Sequence, residues 1–189
     1  SGLFTDQGPD DFDTIIQSNY VLSFQTPKLV FFLPETGGFI EQWEVLDIGL
    51  DPEYLMQTET EYELIGKNEV LTLYKPREKY GHKGTYGHSL IAGGSYGKIG
   101  SVCLSSKAAL YAGSGLVTSF VPKIGYSILQ TALPEIMVMT DASDNELTDI
   151  KFIIEPSVIG IGMGMGTSDA TVKTFSEFLK HNKLPLVID

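Results

Sequence analysis

The sequence predicts an α/β protein: a parallel sheet with helices on both faces, preceded by an acidic, strand-rich segment. Three observations lead there. From residue 88 to the end, strand-like and helix-like runs alternate without interruption. Two glycine-rich stretches, GGSYGKIG (93–100) and IGIGMGMG (159–166), each follow a strand-like run and open a helix-like one, where open α/β sheets bind ligands. Charge also divides the chain. Residues 1–64 hold 13 of the 24 acidic residues and one base, Lys28, whereas residues 65–189 hold 11 acids and 12 bases. The first stretch stands at −12 and the second at +1, which points to two bodies of different character.

The elements follow in order. Residues 1–18 read as loop, with Gly2, Gly8, Pro9 and four aspartates. NYVLSF (19–24), LVFFLP (29–34) and WEVLDIGL (43–50) are aromatic and β-branched runs, expected as strands, with ETGG (35–38) as a turn. DPEYLMQ (51–57) opens a helix, with Asp51 as cap and Pro52 in the first turn. Beyond residue 88 the expected strands are 88–94, 116–122, 136–140, 156–162 and 184–189. The expected helices are 99–113, ending on Gly113, then 125–133, a short polar one at 143–150, and an amphipathic one at 168–182. In the last, Val172, Phe175, Phe178 and Leu179 fall on one face.

Composition limits the function. With 189 residues and 42% hydrophobic content the chain can bury a core. Cys103 is the only cysteine, which excludes a disulfide scaffold and points to a reducing, cytoplasmic setting. A net charge of −11 argues against a generic nucleic-acid binder, and no apolar run reaches the roughly 20 residues of a membrane helix. The opening residues carry no basic-then-apolar leader. Within the second body, KPREKYGHKGTYGH (75–88) gathers Lys75, Arg77, Lys79, Lys83, His82 and His88, either as a solvated linker or as a local field for an anion.

The chemistry-bearing residues are the glycines. At a helix start, backbone N–H groups bind anions, and glycine lets a phosphate approach. In the first stretch Gly94, Ser95, Gly97 and Gly100 are candidates for weak phosphate contact. The stretch is not a phosphate loop of the Walker type, since Ile99 follows Lys98. In the second, Gly160, Gly162, Gly164 and Gly166 alternate, without the spacing of a dinucleotide fingerprint. GSGLVT (113–118) reads as a structural helix exit, Cys103 as a core residue and His181 as a partner of a helix C-terminus. No zinc-ligand spacing and no Ser/His/Asp set is identifiable.

HKGTYGHSLIAGGSYGKIGS (82–101), KAALYAGSGLVT (107–118), PEIMV (134–138), IGIGMGMG (159–166) and LPLVID (184–189) together resemble the ADP/ATP-dependent NAD(P)H-hydrate dehydratases, in that family's order. SGLF (1–4), FQTPKLVFFLPE (24–35) and WEVLDIGLD (43–51) are similar to the end of the NAD(P)H-hydrate epimerase domain often fused ahead of it. The resemblance implies an incomplete ribokinase-like three-layer αβα domain at 81–189. Ahead of it would lie the strand-rich end of a Rossmann-like epimerase domain at 1–55 and a connector at 56–80. It further implies ATP or ADP with Mg2+, K+ for the epimerase part, hydrated NADH or NADPH as substrate, and a homo-oligomer without nucleic-acid or membrane partners. By position, Ser101 stands where the family has a substrate-contacting alanine, so a hydroxyl replaces a methyl. Gly162, Gly164 and Gly166 match the substrate-binding GPGLG glycines, with Met163 in place of proline. Ser1 matches the potassium-binding serine, without the aspartate that precedes it in the family.

Both ends look cut, and the family's substrate histidine, later ATP-binding segment and catalytic Gly-Asp pair would fall beyond Asp189. The fragment alone is therefore expected to be inactive. Two other readings fit the glycine loops: a sugar or vitamin kinase of the same fold, and a nucleotide-binding module without chemistry.

Overall fold

The computed structural model describes residues 11–189, so Ser1 and the SGLF resemblance lie outside the described residues. The described chain divides into two compact units, the first ending at Lys75 and the second covering Pro76–Asp189.

In the first unit, β1 (Ser18–Phe24) and β2 (Ile40–Leu46) pair in parallel, with Ser18 opposite Ile40 and Phe24 opposite Leu46. The segment expected as a strand at 29–34 is instead a 3-10 turn, Leu29–Phe31, leading into a short helix α1 (Pro34–Gly37). Pro27 and Pro34 bracket it, and neither has an N–H for a sheet ladder. The turn buries Val30, whose carbonyl accepts the buried Thr36 hydroxyl at 2.6 Å. It also brings the consecutive rings of Phe31 and Phe32 within 5.9 and 5.5 Å of Trp43, which an alternating strand would send to opposite faces. Two helices follow, α2 (Pro52–Gln57), capped by the Asp51 carboxylate as expected, and α3 (Lys67–Leu73).

The second unit has the expected alternation. Its elements are β3 (His88–Ala92), α4 (Ile99–Tyr111), β4 (Leu116–Val121), α5 (Gly125–Ala132), β5 (Met137–Thr140), β6 (Val158–Ile161), α6 (Asp169–His181) and β7 (Leu186–Ile188). The five strands form one parallel sheet in the order β5-β4-β3-β6-β7. Alternate residues of the inner strands go to opposite faces, as a pleated strand requires. Ile91, Val117 and Val121 meet Ile99 and Val102 of α4 and Leu129 of α5. Leu90, Ala92, Phe120, Ile159 and Ile161 meet Leu147, Ile150 and Met165, with Phe175 and Phe178 of α6 packed on them. The result is a three-layer αβα unit. Among the described residues no helix is long and apolar enough to cross a membrane.

Two expectations fail in this unit. Residues 143–150 form no helix. The Asp141 carboxylate takes the N–H groups of Ser143, Thr148 and Asp149 that a helix would have organised, while Leu147 and Ile150 turn into the core. In α6 the inward face is Thr171, Thr174, Phe175 and Phe178, a clean i, i+3, i+4, i+7 set. Val172 and Leu179 are left exposed. The two threonines hid that face, because only their hydroxyls are polar and Thr171 places its own on the Leu147 carbonyl at 3.2 Å.

The two faces set a contrast in stability. Leu90→Ala empties a fully buried site and should cost about 2–5 kcal/mol. Val172→Ala, on the exposed side of α6, should stay within about 0.5 kcal/mol. Urea unfolding monitored by circular dichroism checks both, and comparable losses would reverse the assigned face.

Candidate functional site

The chain enters the sheet at its centre, with β3. It moves outward to β4 and β5, then returns to the other side of β3 for β6 and β7. The point where the order reverses lies between β3 and β6, and at such switch points open α/β sheets leave a crevice at the strand C-termini. Both glycine-rich turns emerge there, and they are bonded to each other. Gly162 N–H donates to the Ala92 carbonyl at 3.2 Å, Gly94 N–H to the Met163 carbonyl at 2.8 Å, and the Ser95 hydroxyl to the Gly164 carbonyl at 2.8 Å.

The glycines divide into two groups. A Cβ on Gly93 would strike the Met163 carbonyl, and one on Gly164 (φ +63°) would strike the Ser101 hydroxyl and the Lys98 carbonyl. A Cβ on Gly94 would come within 2.8 Å of Ile99 Cδ1, and one on Gly162 within 2.8 Å of the Asp189 carbonyl. These four let the turns, the helix and the neighbouring strand end close on each other. Gly97 and Gly100 border open space, and Gly166 has only ordinary contact with Ser95. Ser101 turns its hydroxyl back onto the Lys98 carbonyl at 2.8 Å.

The two helix starts also differ. α6 is capped by the Ser168 hydroxyl, which accepts the Thr171 N–H at 3.3 Å. α4 has no side-chain cap; Lys98 stands at its N-cap with an exposed ammonium. The first-turn N–H groups of Ile99, Gly100 and Ser101 have no intrahelical acceptor and meet the positive end of the helix dipole. An anion such as a phosphate fits here: uncapped donors, a nearby cation, and glycines without side chains in the way.

Sequence reasoning missed a third component, the loop between β5 and β6. Its carbonyls and carboxylates reach all three neighbouring turns at this edge. Asn145 O accepts Tyr96 N–H at 2.8 Å, and Ser143 O and Asp144 O accept Lys123 and Ile124 N–H at 3.0 and 3.1 Å. The Glu146 carboxylate accepts the Ser168 hydroxyl. The available signal is Asp141 just after a strand, followed by Ser143 and Thr148, where the sequence suggests only a short polar helix at 143–150.

The basic segment 75–88 is not part of this edge. It precedes β3, so the length of that strand separates it from the glycine turns. Arg77 donates to the Gly113 carbonyl at 3.1 Å at the C-terminus of α4, and its guanidinium lies 4.8 Å from the Tyr86 ring centre. There it complements the helix dipole. Gly113, at φ +112°, ends α4 with paired bonds from Gly113 N–H to Leu110 and Ser114 N–H to Ala109. His88 is bonded through Nε2 to the Thr118 hydroxyl at 2.7 Å, and partial burial lowers its pKa. His181 bonds through Nδ1 to the Glu177 carbonyl, and Cys103 packs on the α4 side of the core.

Burial alone would raise the Asp141 carboxyl, but hydrogen bonds from Ser143, Asp149 and Thr148 outweigh it and hold the group below the ordinary aspartate value. Its contribution to stability is therefore complete above the unfolded-state value near 4 and is lost as pH falls through the lower folded value. In acid titrations, wild type is expected to lose a stability increment in that window that Asp141→Asn does not lose. Parallel acid curves for the two would contradict this.

Gly164→Val should push the two turns apart at Ser101 and Lys98, and weaken binding of a phosphate-bearing ligand there by about tenfold or more, equivalent to at least one strong hydrogen bond. Cys103→Ala should leave binding within about twofold. Fluorescence titration with NADH checks the pair, and equal affinities would place the ligand elsewhere.

A family model described as NAD(P)H-hydrate dehydratase matches residues 89–189. A bifunctional NAD(P)H-hydrate repair enzyme, Nnr, from Moorella thermoacetica is 33% identical over all of this chain and 37% of its own length. An ADP-dependent (S)-NAD(P)H-hydrate dehydratase from Lactococcus lactis is 33% identical over 65% of this chain and 44% of its own. The chain thus spans less than half the length of these relatives. A solved ADP/ATP-dependent NAD(P)H-hydrate dehydratase from Bacillus subtilis, co-crystallised with ATP and Mg2+, superposes with a TM-score of 0.54 at 23% identity, over 66% of this chain and 44% of that one. That likeness carries the ribokinase-like α/β fold. With its glycine turns inside the matched region, the chain belongs to the NAD(P)H-hydrate dehydratase family.

Proposed function

We propose that this chain is part of an NAD(P)H-hydrate repair enzyme whose dehydratase uses ATP or ADP to remove water from hydrated NADH or NADPH. The observation that carries the reading is the pair of glycine turns bonded together at the switch point, beside the uncapped start of α4. Residues 81–189 supply the first half of the dehydratase, 56–80 the connector, and 1–55 the end of an epimerase-like domain.

The nucleotide supplies a phosphoryl group that turns the substrate hydroxyl into a leaving group. The residues in hand do the binding. The N–H groups of Gly100 and Ser101 and the Lys98 ammonium hold phosphate charge. Gly97 and Gly166 leave room for it, while Gly94, Gly162 and Gly164 keep the turns close. Ser95 ties the first turn to the second. Among the described residues no group of three His, Cys, Asp or Glu side chains is placed to hold a metal, so no step is assigned to Mg2+ on these residues. K+ would belong to the epimerase part at Ser1. We assign a homo-oligomer and a cytoplasmic setting on the same reading.

The whole protein containing this chain, supplied with hydrated NADH and either ADP or ATP, is expected to restore NADH absorbance. Transfer of phosphate to a stable sugar or vitamin alcohol, with hydrated NADH untouched, would overturn the reading in favour of a kinase. The 189-residue chain alone is expected to show no conversion, since losing catalytic electrostatic groups typically costs ~10²–10³-fold or more. Measurable turnover by it would show that the missing segments are dispensable.

A further inference from the structure

Asp141 is 3% exposed and stands directly after β5, outside the glycine turns. Its two carboxylate oxygens accept Ser143 N–H at 2.9 Å, Asp149 N–H at 2.9 Å, the Thr148 hydroxyl at 2.9 Å, and Thr148 N–H. Its own N–H is fixed on the Val121 carbonyl at 2.9 Å. One side chain therefore ties both ends of the 143–148 loop to the end of the sheet.

That loop contacts each of the three strand-to-helix turns at the C-terminal edge. Through Ser143 and Asp144 it holds the β4–α5 turn, and through Asn145 the Tyr96 N–H of the β3–α4 turn. Through Glu146 and Leu147 it holds Ser168 and Thr171 at the start of α6. The loop's own side chains supply little apolar anchoring apart from Leu147, so its path depends on the hydrogen bonds that close it. A charged acceptor contributes about twice a neutral one.

We propose that Asp141 is a positioning residue for the ligand cleft: its buried carboxylate fixes the 143–148 loop, and the loop fixes the spacing of the turns on either side of the switch point. Asp141 touches no ligand in this assignment and acts through Asn145 and Glu146. Asparagine is a poor replacement, because each carboxylate oxygen takes a backbone N–H, so its amide group would face either those of Thr148 and Asp149 or that of Ser143. That the cleft is for a nucleotide rests on the function proposed above; the positioning itself does not.

Amide hydrogen exchange on the 189-residue chain separates positioning from general stability. In Asp141→Asn, exchange at Tyr96 and Ile124 should accelerate about tenfold or more, the equivalent of one lost charge-assisted hydrogen bond, while Leu90–Ala92 in β3 keep wild-type protection. Acceleration of Tyr96 only in step with Leu90–Ala92, or no acceleration, overturns the proposal. Thr148→Val removes one of the four bonds and keeps the test usable if the first variant does not fold. It should accelerate Tyr96 by a few-fold, again without β3, and an unchanged Tyr96 in that variant overturns the proposal. ADP titration of the whole protein containing this chain, with and without the same substitution, forms a separate arm, in which Asp141→Asn should bind several-fold more weakly. Failure of ADP to bind wild type would count against the nucleotide reading, with the exchange result still deciding the role of Asp141.

Discussion

The arrangement of the second unit depends on β3 lying between β4 and β6. Because the chain enters at the centre and fills one side of the sheet before the other, the turns after β3 and β6 have to emerge side by side. Parallel pairing sends both out of the same edge, and the backbones then meet at hydrogen-bond distance. Gly93 and Gly164 are the local condition for this, since a side chain at either would strike the opposite turn or the helix beside it. Topology brings the turns together, and the missing Cβ atoms let them touch.

Two buried clusters hold that sheet from its two faces, and only a few of their members, Leu147 and Met165 among them, reach past the strand ends. There the structure changes from apolar packing to polar ties. Asp141 collects donors, Ser95 bridges the turns, and the Ser168 hydroxyl joins Glu146 to the first turn of α6. Hydrogen bonds constrain direction as well as distance, whereas apolar contact constrains mostly volume. A cleft that must present N–H groups to a ligand is better held by the first kind of contact.

The strand-helix alternation after residue 88 was legible because the apolar runs, the Gly113 stop and the glycine stretches all agree with one architecture. The element misreadings at 143–150 and 29–34 share a cause: a specific polar or packing partner, invisible to local periodicity, decided the structure. Residues 143–150 have a helix-like composition, but Asp141 takes the needed N–H groups. LVFF has strand-like composition, but Val30 and the ring of Trp43 favour a turn. Arg77, in a segment whose composition fits either a solvated linker or a field for an anion, sits on the end of α4, at the far end of β3 from the glycine turns. Local pattern carries periodicity and stops; it does not carry which polar group a loop will fold around.

The glycines themselves show how far a motif can be taken. On the sequence, the first and second stretches look equivalent, each a strand followed by glycines and a helix. In the structure their helices start differently. α6 caps its own N-terminus with Ser168, which takes the Thr171 N–H, and the Glu146 carboxylate lies beside that hydroxyl, so one donor is engaged and the local field is negative. α4 lacks a side-chain cap, carries Lys98, and is bordered by Gly97 and Gly100 with open space beyond them. An anion gains from the second environment and is repelled by the first. The second glycine stretch also seats the first: its carbonyls at Met163 and Gly164 take the Gly94 N–H and the Ser95 hydroxyl, and so help to orient the start of α4.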